Sequence, residues 1–218
     1  MTAKPPNNYW RNLAEMWESI GRVPLERIVM NPLPGTATEA DVIALEGKAD
    51  KRLCELIDGV LVEKAMVYRE SLLAEYLSRK LGIFVDDHNL GLVATADGMI
   101  RMASRNIRIP DVSFVPWDNI PGGRVPDEPV PGIAPTLAVE VLSVSNTNAE
   151  MLGKRQDYFG SGCRIVWQID PRSRTVEVFD SVDTLTTLTE ADTLDGTPVL
   201  PGFTLPLREL FGRLDRHA

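Results

Sequence analysis

Three residues suggest chemistry directly from the chain: Asp111, Glu140 and Lys154. Glu140 interrupts the apolar run Leu137-Ala138-Val139-Glu140-Val141-Leu142, which has the character of a buried central strand. An unpaired carboxylate there costs several kcal/mol, so a cation, a proton or a metal ion must compensate it. Asp111 follows Pro110 at the entry of another apolar run, and Lys154 falls on the helix expected after the Glu140 strand. Two carboxylates hold a hard divalent cation through oxygen, most simply Mg²⁺, with Mn²⁺ as the alternative. Such an ion lowers the pKa of a bound water and neutralises charge on a scissile phosphate. The lysine then positions or deprotonates the attacking water, or acts as a point cation. Glu55, ahead of the Asp58-Gly59 turn, is a further candidate carboxylate; the plainer reading is an exposed hairpin residue. The plainer readings of the others are a turn-shaping Asp111, a structural ion pair at Glu140 and a solvated Lys154. Ser143, just past the Glu140 strand, either caps the next helix or bonds the site, and capping is the simpler role.

The elements that must position these residues follow from periodicity and turn chemistry. Residues 1–8 are polar; Trp10, Leu13, Trp17 and Ile20 then recur at helical spacing up to Gly21. Prolines break regularity as far as Gly35, so residues 1–35 read as an N-terminal extension and residues 36–218 as the main domain. A short helix is expected from Thr38 to about Leu45, and a hairpin at Leu53–Ile57 and Val60–Val62 around Asp58-Gly59. Leu72, Leu73, Tyr76, Leu77 and Leu81 predict an amphipathic helix over Tyr68–Leu81, ended near Gly82. Strands are expected at Leu90–Thr95, Gly98–Met102 and Ile107–Val115, before a long loop rich in Pro, Gly and acid from Pro116 to Pro135. After the strand Thr136–Leu142 come a helix at Glu150–Phe159 and strands at Cys163–Ile169, Thr175–Phe179 and Thr184–Thr189. A helical turn at Leu207–Phe211 closes the chain, and no internal repeat is present. The fold class is α/β, a mixed central sheet flanked by helices.

Composition narrows the function. The 218 residues suit one domain with an appendage, and a hydrophobic content of 44% is that of a globular chain. A net charge of −8 argues against a protein that coats nucleic acid, but not against an enzyme gripping it in one cleft. Arg101, Arg105, Arg108, Lys154 and Arg155 are the basic residues available for such a cleft. Cys54 and Cys163 form no zinc-ligand or disulfide framework, the N-terminus lacks the apolar core of a signal peptide, and no stretch is long enough to span a membrane. The expectation is a soluble cytoplasmic protein. His88 and His217 are isolated, and Walker A, GxGxxG and GxSxG motifs are absent. A Ser143–Lys154 acyl-transfer dyad leaves Glu140 unexplained.

From about residue 36 to 212 the sequence resembles the Uma2 family, formerly a domain of unknown function, of the PD-(D/E)XK restriction-endonuclease-like superfamily. The likeness rests on Cys54-Glu55-Leu56-Ile57-Asp58-Gly59-Val60-Leu61-Val62-Glu63, on Ile109-Pro110-Asp111-Val112-Ser113-Phe114-Val115, and on Val139-Glu140-Val141-Leu142-Ser143-Val144-Ser145. Lys154 and Tyr158 follow at the family spacing, then Ile165-Val166-Trp167-Gln168-Ile169-Asp170-Pro171 and Leu200-Pro201-Gly202-Phe203-Thr204-Leu205. The order and spacing of the segments carry the specificity. The resemblance implies a restriction-endonuclease-like core with Asp111 and Glu140 as metal ligands. It also implies that the catalytic lysine is moved from the position two after the glutamate, here Leu142, to Lys154. The chain departs from the family with Cys54 for a tyrosine, Glu150 for an aspartate, Val144 for a proline, and no histidine where Glu70 and Ser71 lie.

The expected function is a Mg²⁺-dependent endonuclease cleaving phosphodiester bonds of nucleic acid, DNA in the first instance, with Asp111 and Glu140 on the metal, Lys154 assisting the water and Glu55 auxiliary. A homodimer suits a duplex of twofold symmetry. The rival is a non-catalytic binding or assembly protein that keeps the fold, with Trp10 and Trp17 docking a partner.

Overall fold

The computed structural model describes residues 10–46, 52–65 and 67–215. The expectations for residues 1–9 lie outside that range. In chain order the elements are α1 (Leu13–Ser19), α2 (Glu39–Glu46), β1 (Cys54–Ile57), β2 (Val60–Glu63), α3 (Tyr68–Asp87), β3 (Gly91–Thr95), β4 (Ile100–Arg101), β5 (Ile107–Arg108) and β6 (Val112–Pro116). The second half carries β7 (Leu137–Val141), α4 (Asn148–Gly160), β8 (Ile165–Asp170), β9 (Thr175–Phe179), β10 (Leu185–Thr189), β11 (Thr193–Asp195), β12 (Thr204–Pro206) and α5 (Leu207–Phe211).

A six-stranded sheet, ordered β10-β9-β8-β7-β6-β3, is the frame. Only β7 and β8 run parallel, and such a pair needs a crossover, which α4 supplies. β7 alternates in the way a strand covered on both faces must. Leu137, Val139 and Val141 enter the large core with α3, whereas Ala138 faces Tyr158 of α4 together with Val166 and Phe179. Glu140 shares the α4 face by that alternation.

A second sheet, β2-β1-β5-β4, stands beside the first. Its hairpin is the one expected: Asp58 and Gly59 have φ of 49° and 80°, the two positive values a type I′ turn requires. Its other strands correct the sequence reading. Ile107–Val115 is not one strand but two, β5 in the small sheet and β6 in the large one. Pro110 lies at the break, where it offers no N–H for a ladder, and Asp111 resumes pairing through its N–H to Val139 O at 2.9 Å. The helix expected to end near Gly82 also runs on, to Asp87. Leu81 and Val85 continue the same buried stripe, and their burial outweighs the roughly 1 kcal/mol that a helical glycine costs. The short β11-β12 ladder went unread from the sequence.

The N-terminal segment is docked on the rest. Met16, Ile20 and Val23 pack with Ile57, Val60 and Val62 of the hairpin, with Trp10 and Ile28 at the margin. Trp17 donates from its indole N–H to Val23 O at 2.7 Å. At the end of α1 the chain turns through Gly21 (φ +85°) against the start of α4, where a Cβ would stand 2.5 Å from Glu150 Cα. Thr147, the N-cap of α4, donates to Gly21 O. Gly21→Ala therefore meets both a forbidden dihedral and a backbone wall. Stability is expected to fall by on the order of 1–3 kcal/mol, read as a lower midpoint in urea unfolding.

Candidate active site

β1, β5, β7 and α4 converge on one buried ionic network. Lys154, Tyr158 and Met151 occupy one stripe of α4 and are all buried against the large sheet. The Lys154 ammonium stands 2.9 Å from Glu140 Oε2 and 3.0 Å from Glu55 Oε1. The other Glu140 oxygen accepts a hydrogen bond from the Tyr158 hydroxyl. Tyr158 fills the space that Ala138 leaves beside Glu140. Glu55 Oε2 accepts from Arg108 at 2.9 Å, and the same guanidinium donates to Asp157 Oδ2 at 2.7 Å. Glu55, Glu140 and Lys154 are 1%, 4% and 3% exposed, so water does little of the charge compensation.

Asp111 stands one step away. Its Oδ2 accepts from the Val141 N–H at 2.7 Å, which fixes the carboxylate at the end of β7, and its Oδ1 lies 2.8 Å from Lys64 Nζ. Lys64 also donates to Ile109 O at 2.6 Å. Four acids (Glu55, Asp111, Glu140, Asp157) thus meet three bases (Lys64, Arg108, Lys154) in a largely dry interior.

The protonation equilibria follow from that crowding. Burial raises the Glu140 carboxyl above its ordinary value, and the neighbouring Asp111 and Glu55 add to the effect against the pull of Lys154. Burial pushes Glu55 the same way, but Lys154 and Arg108 together outweigh it and hold the group down at about 2. Burial alone would lower Lys154, yet Glu140 and Glu55 overrule it and raise it. Both carboxylates favour the protonated ammonium, the form that acts as a fixed positive charge. Burial and the adjoining carboxylates likewise keep the Tyr158 hydroxyl protonated.

The sequence-derived candidates are therefore brought together unevenly. Glu55, Glu140 and Lys154 share one network, and Glu55 is fully buried rather than an exposed hairpin residue. Asp111 adjoins them through Val141 and Lys64. Ser143 is not the cap of α4; it bonds Ser145 and Asn146, and Thr147 caps. Three residues of the suggested basic cleft are engaged elsewhere: Arg101 is tied to Glu39 and Glu128, and Arg108 and Lys154 are buried in ion pairs. Lys64 was missed. A lysine after a short amphipathic strand has no local mark that separates it from a solvated one. Glu150, in place of the family aspartate, is held by Arg27 at 2.8 Å, so its extra reach serves the N-terminal segment.

A cavity of about 320 Å³ opens where Asp111 and Val141 meet the first turn of α3, with Glu70, Ser71 and Asp97 also on its wall. Among the described residues no three His, Cys, Asp or Glu side chains already stand as a ready metal-ligand group. The cavity nonetheless suits a hard cation. Glu70 Oε2 is buried without a hydrogen-bond partner among the described residues, and it shares this wall with the Asp111 carboxylate.

The fold is a mixed six-stranded sheet crossed by α4, and buried acidic residues from two sheets meet a lysine of that helix near the end of β7. The chain belongs to the Uma2 family, described as “Putative restriction endonuclease”, whose profile matches residues 40–208. Among solved structures it is similar to a “putative nuclease belonging to DUF820” from Anabaena variabilis ATCC 29413. That likeness has a TM-score of 0.69 at 19% identity and covers 79% of this chain and 97% of the other. No curated protein matches. No helix among the described residues is long and apolar enough to cross a membrane.

Removing Arg108 takes the shared guanidinium from two buried carboxylates, leaving Glu55 with Lys154 alone as counter-ion and Asp157 with neutral donors. Arg108→Met is expected to cost about 3–5 kcal/mol in unfolding free energy, measured by chemical denaturation at neutral pH. The pH dependence has a definite sign. Glu55 is held at about 2 from an ordinary 4.5, so its stabilisation is complete above about 4.5 and drains away as pH falls toward 2. Glu140, raised instead, favours the folded state as it takes up its proton. Wild type should lose stability more steeply than Glu55→Gln between pH 4.5 and 2, followed by thermal unfolding across that window.

Proposed function

We propose that this protein is a divalent-metal-dependent endonuclease acting on DNA, and that Asp111, Glu140 and Lys154 form its catalytic centre with Glu55 as auxiliary. The observation that carries the reading is the crowding of Asp111 and Glu140 at the end of β7, next to a cavity lined by Asp111 and by Glu70, one of whose carboxylate oxygens is buried without a partner among the described residues. Asp111 and Glu140 would hold Mg²⁺ or Mn²⁺, with Glu70 reaching the same space from α3. When bound, such an ion lowers the pKa of water and neutralises phosphate charge.

The remaining chemistry belongs to the chain. Lys154, fixed by two carboxylates, would act as a point cation for the negative charge that builds on the phosphate. Glu55 and Arg108 keep that ammonium in place. Tyr158 fixes the rotamer of Glu140 by donating to one of its oxygens. Lys64 neutralises Asp111 while no other cation does so, and its flexible stem lets it yield the carboxylate. Among the described residues the acidic cavity has no Lys or Arg on its wall, so a polyanion approaching it needs a cation to bridge the like charges. Two such centres in a homodimer would address the two strands of a duplex.

A second reading, a non-catalytic protein that keeps the fold, draws on Lys154 being 3% exposed and occupied by two carboxylates. Plasmid cleavage in Mg²⁺, Mn²⁺ or EDTA decides between them. The first reading expects cleavage only with metal, and a loss of about 10²–10³-fold in Asp111→Asn and in Lys154→Ala. Unchanged cleavage in both variants would remove these residues from the mechanism. Calorimetry with Mn²⁺ adds a readout independent of turnover. Glu70→Gln should weaken binding roughly tenfold, whereas a protein that binds no Mn²⁺ through these carboxylates supports the second reading.

A further inference from the structure

A second cavity, of about 490 Å³, lies on the α4 face of the large sheet, and Gln168 is part of its wall. Gln168 is 3% exposed, and its Nε2 has no hydrogen-bond partner among the described residues. The amide cannot simply be turned over, because Arg155 donates to its Oε1 at 3.1 Å and so fixes which end is the donor. A buried amide nitrogen without an acceptor costs free energy unless a ligand supplies one. The strand register places what stands beside it. Glu140, Gln168 and Glu177 are Cα partners across β7, β8 and β9, so one polar row runs from the proposed catalytic glutamate to this cavity. Neighbouring strands are about 4.8 Å apart, so Gln168 and Glu177 offer a donor and an acceptor side by side.

The rest of the wall suits a flat, uncharged group. Arg155 lies 4.2 Å over the Phe179 ring, a layered planar surface, and Leu142, Met151 and Leu185 add apolar contact. Asp170, Glu177 and Asp183 outnumber Arg155 and Arg172, so a free phosphate is disfavoured there. Val141 lines the first cavity and Leu142 the second, so the two flank the end of β7. A strand of nucleic acid crossing that end can set a phosphate at one and the adjoining base at the other.

Resting on the nuclease reading above, we propose that this cavity receives an unpaired nucleobase of the substrate strand, and that Gln168 selects bases with a carbonyl next to an imino N–H. Gln168 Nε2 donates to the base carbonyl and Glu177 accepts from the neighbouring N–H. Guanine, uracil and thymine carry that edge, adenine lacks the carbonyl, and cytosine lacks the imino proton.

The test uses the full-length ¹⁵N-labelled protein in EDTA, titrated with GMP, UMP, AMP and CMP. The Gln168 side-chain amide is assigned by its disappearance in Gln168→Glu, which keeps size and shape while removing the donor. GMP and UMP should shift that amide signal and bind roughly tenfold more tightly than AMP and CMP, and Gln168→Glu should erase the preference. Equal binding of all four, binding of none at millimolar concentration, or a preference that survives Gln168→Glu overturns the proposal. Mononucleotides hold no bond to cleave and no metal is present, so an inactive catalytic centre leaves this result untouched. Metal-dependent cleavage without base preference would sink the base site alone.

Discussion

The structure turns on one ammonium group. Lys154 Nζ sits between Glu55 of the small sheet and Glu140 of the large sheet, and it is carried by the crossover helix that joins β7 to β8. Three separately formed elements are thereby brought to a common point, and any error in the placement of one leaves a charge without its counter-ion. Arg108 extends the arrangement to Asp157 on the same helix, so α4 is tied to the small sheet through both charges. The apolar packing of Ala138, Tyr158, Val166 and Phe179 around this point excludes water and makes each pairing stronger and each omission more costly.

Such a network is a poor way to hold a protein together. Taking charges out of water offsets most of what their attraction returns, and well-packed hydrophobic residues often serve stability equally well. Here a core position on the central strand is given to a carboxylate whose proton affinity burial has raised, with one more acid nearby than there are bases. Local consistency is broken at one place in the fold and kept almost everywhere else, which is where function is expected to reside.

How much of this could be read from the chain depended on whether the signal was local. The Asp58-Gly59 hairpin was legible because a type I′ turn constrains two adjacent residues, and α5 because its stripe is compact. Glu140 was legible because a charge in an apolar run demands a partner, here Lys154. Glu55 was not recognised as buried, because its partners Arg108 and Lys154 are far away in sequence. Lys64 was invisible for the same reason, since only the folded chain sets it against Asp111. The split of Ile107–Val115 hinged on Pro110, whose missing N–H ends one ladder before a different sheet takes up the chain. Gly82 misled in the opposite direction, because the buried stripe beyond it outweighed the residue's own preference.

The N-terminal segment has a role in time as well as space. Arg27 reaches across 123 positions to Glu150 at the start of α4, and the ionic network itself closes only with Asp157 and Tyr158. On the ribosome, Arg27 must therefore wait for a partner encoded 123 positions later. Contacts of such long sequence separation form late. The nascent chain carries no assembled centre until it has emerged through Tyr158.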